Sequence, residues 1–106
     1  MKQITRETLK SMMDRKEEFV LIDARRHEGF DKEHLPRAIS IPSDHLGEHV
    51  LKNYKKDQIF VTYCSSFTCE SSTLAAQKLE KYGFKNVLEF KGGLEDWRNA
   101  GYPTEK

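Results

Sequence analysis

The sequence predicts an α/β fold with a mainly parallel sheet of about four to five strands and helices on both faces. Short apolar runs rich in β-branched and aromatic residues recur along the chain. Between them lie stretches in which apolar residues follow helical spacing. Strands that alternate with helices form parallel sheets, because each helix carries the chain back to the edge where the next strand starts.

A helix followed by a strand is predicted at the start of the chain. Thr5 is a candidate N-cap, because its hydroxyl can accept a hydrogen bond from the first helical turn. We expect this helix to bury three apolar residues, Leu9, Met12 and Met13. Residues 19–22 then form a short apolar run bounded by charged residues, which predicts a buried strand.

A weaker strand and a second helix are predicted next. Residues 39–41 form a short strand that ends before Pro42. Ser43 is a candidate N-cap for a helix. Its apolar positions are Leu46, Val50 and Tyr54.

The second half of the chain gives the clearest pattern. Residues 59–63 predict a buried strand, and residues 71–82 predict a helix that stops at Gly83. Residues 87–90 predict another strand. Leu94 and Trp97 recur at helical spacing before residues 101–103 end the last element.

Length and charge limit the classes of function. The chain has 106 residues, so residues 1–106 are expected to form a single domain. Its 18 basic and 17 acidic residues leave a formal charge of +1, which argues against nucleic acid as the main partner. No stretch has the length and apolar character of a membrane span or a signal peptide. We therefore expect a cytoplasmic protein, monomeric, that binds no membrane.

Cys64 is the candidate catalytic residue. It follows the strand at 59–63, and ligands in open α/β sheets bind beyond the carboxyl ends of the strands. The loop after it enters a helix near Ser71, and backbone N–H groups at a helix N-terminus favour a thiolate. From position alone, a cysteine that serves only as a small apolar residue fits equally well.

Four segments, in order, resemble the signatures of rhodanese-like domains. The strand end Asp23-Ala24-Arg25 and the run HLPRAISIP at 34–42 resemble the N-terminal signature. The run GFKNV at 83–87 and the stretch from 92 to 103 resemble the C-terminal signature. The resemblance covers nearly the whole chain and implies a three-layer rhodanese-like fold with sulfurtransferase activity.

The resemblance also implies a role for Cys64. Its thiolate would take sulfane sulfur from a donor, thiosulfate or a persulfide, and pass it to a thiol, cyanide or protein-thiol acceptor. Asp23 and Arg25 are expected to support the strand end beside the site. The backbone after Cys64 would cradle the persulfide. The loop residues are Ser65, Ser66, Phe67, Thr68, Cys69, Glu70, Ser71 and Ser72.

We expect no cofactor and no metal. His45 and His49 lie four residues apart on a predicted helix, the spacing at which two side chains can share a metal ion. Because no acidic or thiol partner stands at a matching offset, the sequence favours a solvated helix face.

The loop departs from the usual family pattern in its length and in its charge. It is longer than usual and resembles a subgroup with a second cysteine five positions after the first. No arginine or lysine lies between Cys64 and Ser72, and Glu70 adds negative charge. This disfavours an anionic donor such as thiosulfate, unless Arg25 or Arg37 supplies a cation from elsewhere.

Two further positions depart from the family. Cys69 stands where cysteine phosphatases of this fold place an arginine, which argues against a phosphatase. Arg37 and Glu33 each replace a family glycine, so local backbone geometry there is expected to differ.

Cys69 has two possible roles. It can resolve a persulfide or sulfenic acid on Cys64 by forming a disulfide, or it can pack passively under the loop. We favour the passive role slightly, because a loop that cradles an anion is expected to hold the two sulfurs apart. Besides the sulfurtransferase, two hypotheses stay open: a non-catalytic protein-binding module and a dithiol redox protein that uses both cysteines.

Overall fold

The computed structural model describes all 106 residues, 1–106, and has a five-stranded sheet with helices on both faces. The strands are β1 (Lys2–Gln3), β2 (Val20–Asp23), β3 (Ala38–Ser40), β4 (Ile59–Tyr63) and β5 (Asn86–Phe90). The helices are α1 (Arg6–Asp14), α2 (His27–Lys32), α3 (Glu48–Leu51), α4 (Ser71–Lys81) and α5 (Gly93–Asn99). None of them is long and apolar enough to cross a membrane. The predicted α/β class is confirmed.

All neighbouring strands are parallel, in the order β1-β5-β4-β2-β3. The central strand is β4, which pairs with β2 through Ile22 and Thr62 and with β5 through Thr62 and Glu89. Because parallel strands end at the same edge, the residues that follow β2, β4 and β5 meet there. Cys64 follows the central strand at this edge.

The sheet separates two apolar layers. Successive strand residues point to opposite faces, so Phe60 packs with the layer under α4 while its neighbour Val61 packs with the layer under α1 and α5. The α4 layer includes Ala75, Ala76 and Leu79 of that helix. The second layer includes Leu9, Met12, Leu94 and Trp97. The three-layer arrangement follows from this division.

Most predicted elements are present with small shifts. Thr5 caps α1 by accepting a hydrogen bond from the backbone N–H of Thr8 at 3.2 Å. Leu9 and Met12 are buried, while Met13 is half-buried against the same layer. The strand expected at 39–41 is Ala38–Ser40, and the helix expected at 71–82 ends at Lys81.

The prediction of a helix capped by Ser43 was wrong. Ser43 begins a short 3-10 turn that ends at His45, and α3 starts only after Gly47. The backbone N–H of Ser43 donates to the carbonyl oxygen of Ala24, and its carbonyl accepts from Lys78 Nζ at 2.6 Å. These contacts fix the segment against the end of β2 and against α4, so the helix forms later.

The strand β1 and the helix α2 bury too few residues to be recognised from the sequence. Both residues of β1 are exposed, and α2 has no buried residue. Neither element therefore produces the apolar periodicity by which strands and helices are detected.

Arg37 adopts a backbone conformation that favours glycine, with φ at 72°. Its guanidinium donates to the carbonyl oxygens of Glu17 and Phe19 and lies 4.1 Å from the centre of the Phe19 ring. The segment thus keeps a left-handed turn although arginine replaces the family glycine. Glu33, with φ at −169°, is in extended backbone that any residue adopts.

We expect Arg37→Gly to be more stable than Arg37→Ala by about 1 kcal/mol, because both remove the side-chain contacts and only alanine keeps the strain at positive φ. Urea unfolding of the two variants measures the difference. Lys52→Gly and Lys52→Ala form the control pair, because Lys52 has ordinary helical dihedrals, with φ at −60° and ψ at −25°. There Lys52→Ala should be the more stable variant, and the same order at both positions would contradict strain at Arg37.

Candidate active site

The loop that follows β4 is held by the first turn of α5. Cys64 is 2% exposed, and its carbonyl oxygen accepts the backbone N–H of Leu94 at 3.0 Å. The carbonyl oxygen of Ser65 accepts the N–H of Glu95 at 2.9 Å. Gly93 has φ at 68°, and a Cβ there would lie 2.5 Å from the Cys64 carbonyl oxygen. Glycine is therefore required for the loop to approach α5 this closely.

The loop leaves most of its backbone N–H groups free. Between Ser65 and Ser72 only Cys69 donates to another backbone carbonyl, that of Ser66 at 3.1 Å. The remaining N–H groups belong to the segment that runs from Cys64 to the N-terminus of α4, which begins at Ser71. Free donors in this position can stabilise negative charge on sulfur.

Cys64 and Cys69 form a disulfide, with their Cα atoms 6.2 Å apart. The expectation that the loop holds the two sulfurs apart was wrong. The turn closed by the Cys69 N–H and the Ser66 carbonyl reverses the chain and brings Cys69 back over Cys64. Lys91 Nζ fixes this return by donating to the Cys69 carbonyl oxygen at 2.7 Å.

Lys91 and Glu89 are site residues that the sequence interpretation missed. Glu89, 1% exposed, accepts hydrogen bonds from Ser72 Oγ at 2.8 Å and Thr73 Oγ1 at 2.6 Å. Its Oε2 lies 3.9 Å from Lys91 Nζ. A glutamate inside an apolar strand is a signal, because a buried carboxylate requires partners. The hydroxyl of Ser72 is thus directed to Glu89 below the loop.

Asp23 and Arg25 pair at the end of β2. Arg25 donates through its guanidinium to Asp23 at 2.7 Å and to the carbonyl oxygen of Glu33 at 2.7 Å. Burial opposes the charge of Arg25, but the hydrogen bonds and charge of Asp23 outweigh it and hold its pKa above the usual value. Tyr63, the last residue of β4, donates to Asp23 at 2.6 Å and accepts the backbone N–H of Leu35 at 3.1 Å.

Neither of the two arginines that could supply a cation to the loop, Arg25 and Arg37, contacts it through a hydrogen bond. Arg37 contacts the backbone just before β2, at the opposite edge of the sheet from Cys64. Arg25 is committed to Asp23 and the Glu33 carbonyl. The cation that touches the loop is Lys91, from the segment after β5.

The remaining loop side chains face outward. Phe67 is 61% exposed, and Ser65, Thr68 and Glu70 are also exposed. The hydroxyls of Ser66 and Thr68 lie 3.0 Å apart and form a hydrogen bond across the turn. Among the residues described, no group of three or more acidic, cysteine or histidine side chains is placed to hold a metal ion.

The sequence profile of the rhodanese-like domain family matches residues 5–100. The chain belongs to this family. Among curated relatives, the thiosulfate sulfurtransferase GlpE of Coxiella burnetii is 33% identical over 90 residues, which cover 85% of this chain and 80% of that protein. YrkF of Bacillus subtilis is 28% identical over 95 residues, but the chain spans only 50% of its length.

Solved structures share the rhodanese-like fold. The crystal structure of the BH2092 protein of Bacillus halodurans is 31% identical with a TM-score of 0.93, and the match covers 98% of this chain and 76% of that one. The solution structure of the rhodanese-like domain of Alr3790 from Anabaena is 28% identical with a TM-score of 0.87, over 99% of this chain and 79% of that one.

Tyr63 is the last residue of β4 in this rhodanese-like domain. We expect its ionisation to lower the free energy of unfolding at high pH. Burial, reinforced by the charge of Asp23, raises the pKa of Tyr63 above its ordinary value of 10.0. The unfolded chain loses that proton first, so above pH 10 ionisation favours unfolding by up to about 1.4 kcal/mol per pH unit.

Urea unfolding between about pH 9 and about pH 11 measures this effect in the wild type and in Tyr63→Phe. The variant should be less stable at neutral pH by about 1–3 kcal/mol, because it leaves the Leu35 N–H unpaired. It should also lose stability more slowly as the pH rises. Parallel pH dependence in the two proteins would contradict the assignment.

Proposed function

We propose that residues 1–106 act as a single rhodanese-like domain that transfers sulfane sulfur through a persulfide on reduced Cys64. The observation that carries the proposal is the position of Cys64, at the end of the central parallel strand and at the start of a loop with free N–H donors. The family match and the similarity to a protein named as a thiosulfate sulfurtransferase support the same chemistry.

The reaction begins from the dithiol, because a disulfide has no thiolate to attack a donor. The Cys64 thiolate attacks the outer sulfur of the donor, a sulfur–sulfur bond forms, and the rest of the donor leaves with its bonding electrons. With thiosulfate the leaving group is sulfite, and with a persulfide it is a thiolate. An acceptor thiolate or cyanide then attacks the outer sulfur and regenerates the Cys64 thiolate.

The loop supports the intermediate mainly through backbone dipoles. The N–H groups before α4 can donate to the terminal sulfur of the persulfide anion. Lys91 is the cation at the loop, but its ammonium is already bonded to the Cys69 carbonyl and to Thr73. Glu70 places a carboxylate on the exposed side of the loop. This balance favours a singly charged persulfide donor over doubly charged thiosulfate.

The test is the intact mass of the reduced protein after incubation with thiosulfate and, separately, with a low-molecular-weight persulfide. We expect Cys69→Ser to gain one sulfur atom and Cys64→Ser to gain none, because the proposed acceptor of the sulfur is Cys64. The persulfide should load the protein faster than thiosulfate.

Circular dichroism of both variants shows whether each is folded before loading. If folded, reduced Cys69→Ser gains no sulfur from either donor, the transferase proposal fails. The family fold would then serve the alternative role of a protein-binding module, with exposed Phe67 as the first position to probe.

A further inference from the structure

The two cysteines differ in their exposure to solvent. Cys64 is 2% exposed at the end of β4, whereas Cys69 is half-buried and closer to the surface. The disulfide shows that the folded loop can bring the Cys69 sulfur into bonding contact with Cys64. Any persulfide formed on Cys64 therefore has a second thiol within reach of its inner sulfur.

Besides the disulfide, two hydrogen bonds contact Cys69 in this position. Its N–H donates to the Ser66 carbonyl, and its own carbonyl accepts from Lys91 Nζ. Lys91 is in turn fixed by Thr73 Oγ1 at 3.1 Å and lies 3.9 Å from Glu89. A nucleophile held by such contacts reacts as an intramolecular partner, at a far higher effective concentration than a free thiol.

We propose that Cys69 is a catalytic residue that releases the transferred sulfur as hydrosulfide; this inference rests on the proposed persulfide on Cys64. The Cys69 thiol loses its proton, through solvent, to the outer sulfur of the persulfide anion, and the Cys69 thiolate attacks the Cys64 sulfur. The Cys64–Cys69 bond forms, the bond to the outer sulfur breaks, and that sulfur leaves as HS⁻ with the bonding pair. The sulfane sulfur is reduced and the two cysteines are oxidised.

The disulfide is then the end state of one turnover. Cys64 has no thiolate in this state, so a new cycle requires a thiol reductant. Cys69 is the more exposed residue of the pair, so its sulfur is the expected point of attack for that reductant, and Cys64 leaves as a thiolate at the start of the loop with the free N–H groups. The protein would thus couple a sulfane sulfur donor and a thiol reductant to the production of sulfide.

The test is a single turnover of fully reduced protein without free thiol. The donor is a stoichiometric aromatic thiosulfonate, whose sulfinate leaving group cannot itself release sulfide from a persulfide. Wild type should release one sulfide per chain, lose two hydrogens from its mass and keep no added sulfur. A second addition of donor should release no more sulfide until the disulfide has been reduced.

Cys69→Ser and Cys69→Ala are the decisive variants, and Cys64→Ser is the matched control. Both Cys69 variants should keep the added sulfur and release no sulfide, while Cys64→Ser should neither load nor release. If wild type also keeps the added sulfur without releasing sulfide, the role of Cys69 is overturned while the transferase function stands. If the Cys69 variants take up no sulfur, the persulfide itself is refuted, and this inference with it.

Discussion

The active loop depends on two backbone hydrogen bonds from the first turn of α5, to the carbonyl oxygens of Cys64 and Ser65. Each contributes on the order of 1 kcal/mol to stability, but their main effect is geometric. They use the first N–H groups of α5, which have no partner within the helix, to fix the chain where it leaves β4. This docking requires the close approach and positive φ of Gly93.

The same short stretch of chain also holds the far side of the loop. Glu89, at the end of β5, binds the hydroxyls of Ser72 and Thr73 at the start of α4. Lys91 holds the carbonyl of Cys69. Residues 89–95 therefore contact the loop at both of its ends, and the close approach explains why position 93 is glycine.

The strands β2, β4 and β5 and the helix α4 could be predicted from the sequence because each buries apolar residues. The helix expected from Ser43 could not be placed correctly, because its start is decided by hydrogen bonds to Ala24 and Lys78, which lie far from it in sequence. Capping chemistry at a single serine is a weak local preference that such tertiary contacts override.

The position of Cys64 in the fold could be predicted from the sequence, and the groups that hold the loop around it could not. Cys64 stands out because it follows the strongest strand, and the structure puts it at the end of the central one. The disulfide between Cys64 and Cys69 depends on the turn between them and on Lys91, which lies more than twenty residues farther along the chain. The five-residue spacing of the two cysteines reveals neither contact. Glu89 is the residue from which part of this support could have been predicted, since a carboxylate within an apolar strand indicates a buried polar network.

The charge at the loop follows from these supports. Glu89 binds the two hydroxyls at the N-terminus of α4, so the positive end of that helix already faces one buried carboxylate. Lys91 offsets that carboxylate rather than adding free positive charge at the mouth. The groups left to stabilise an anion on Cys64 are the loop N–H groups, which are fixed dipoles with no counterion of their own. In the proposed reaction, negative charge on the outer sulfur of a Cys64 persulfide would therefore be stabilised by these dipoles rather than by an ion pair.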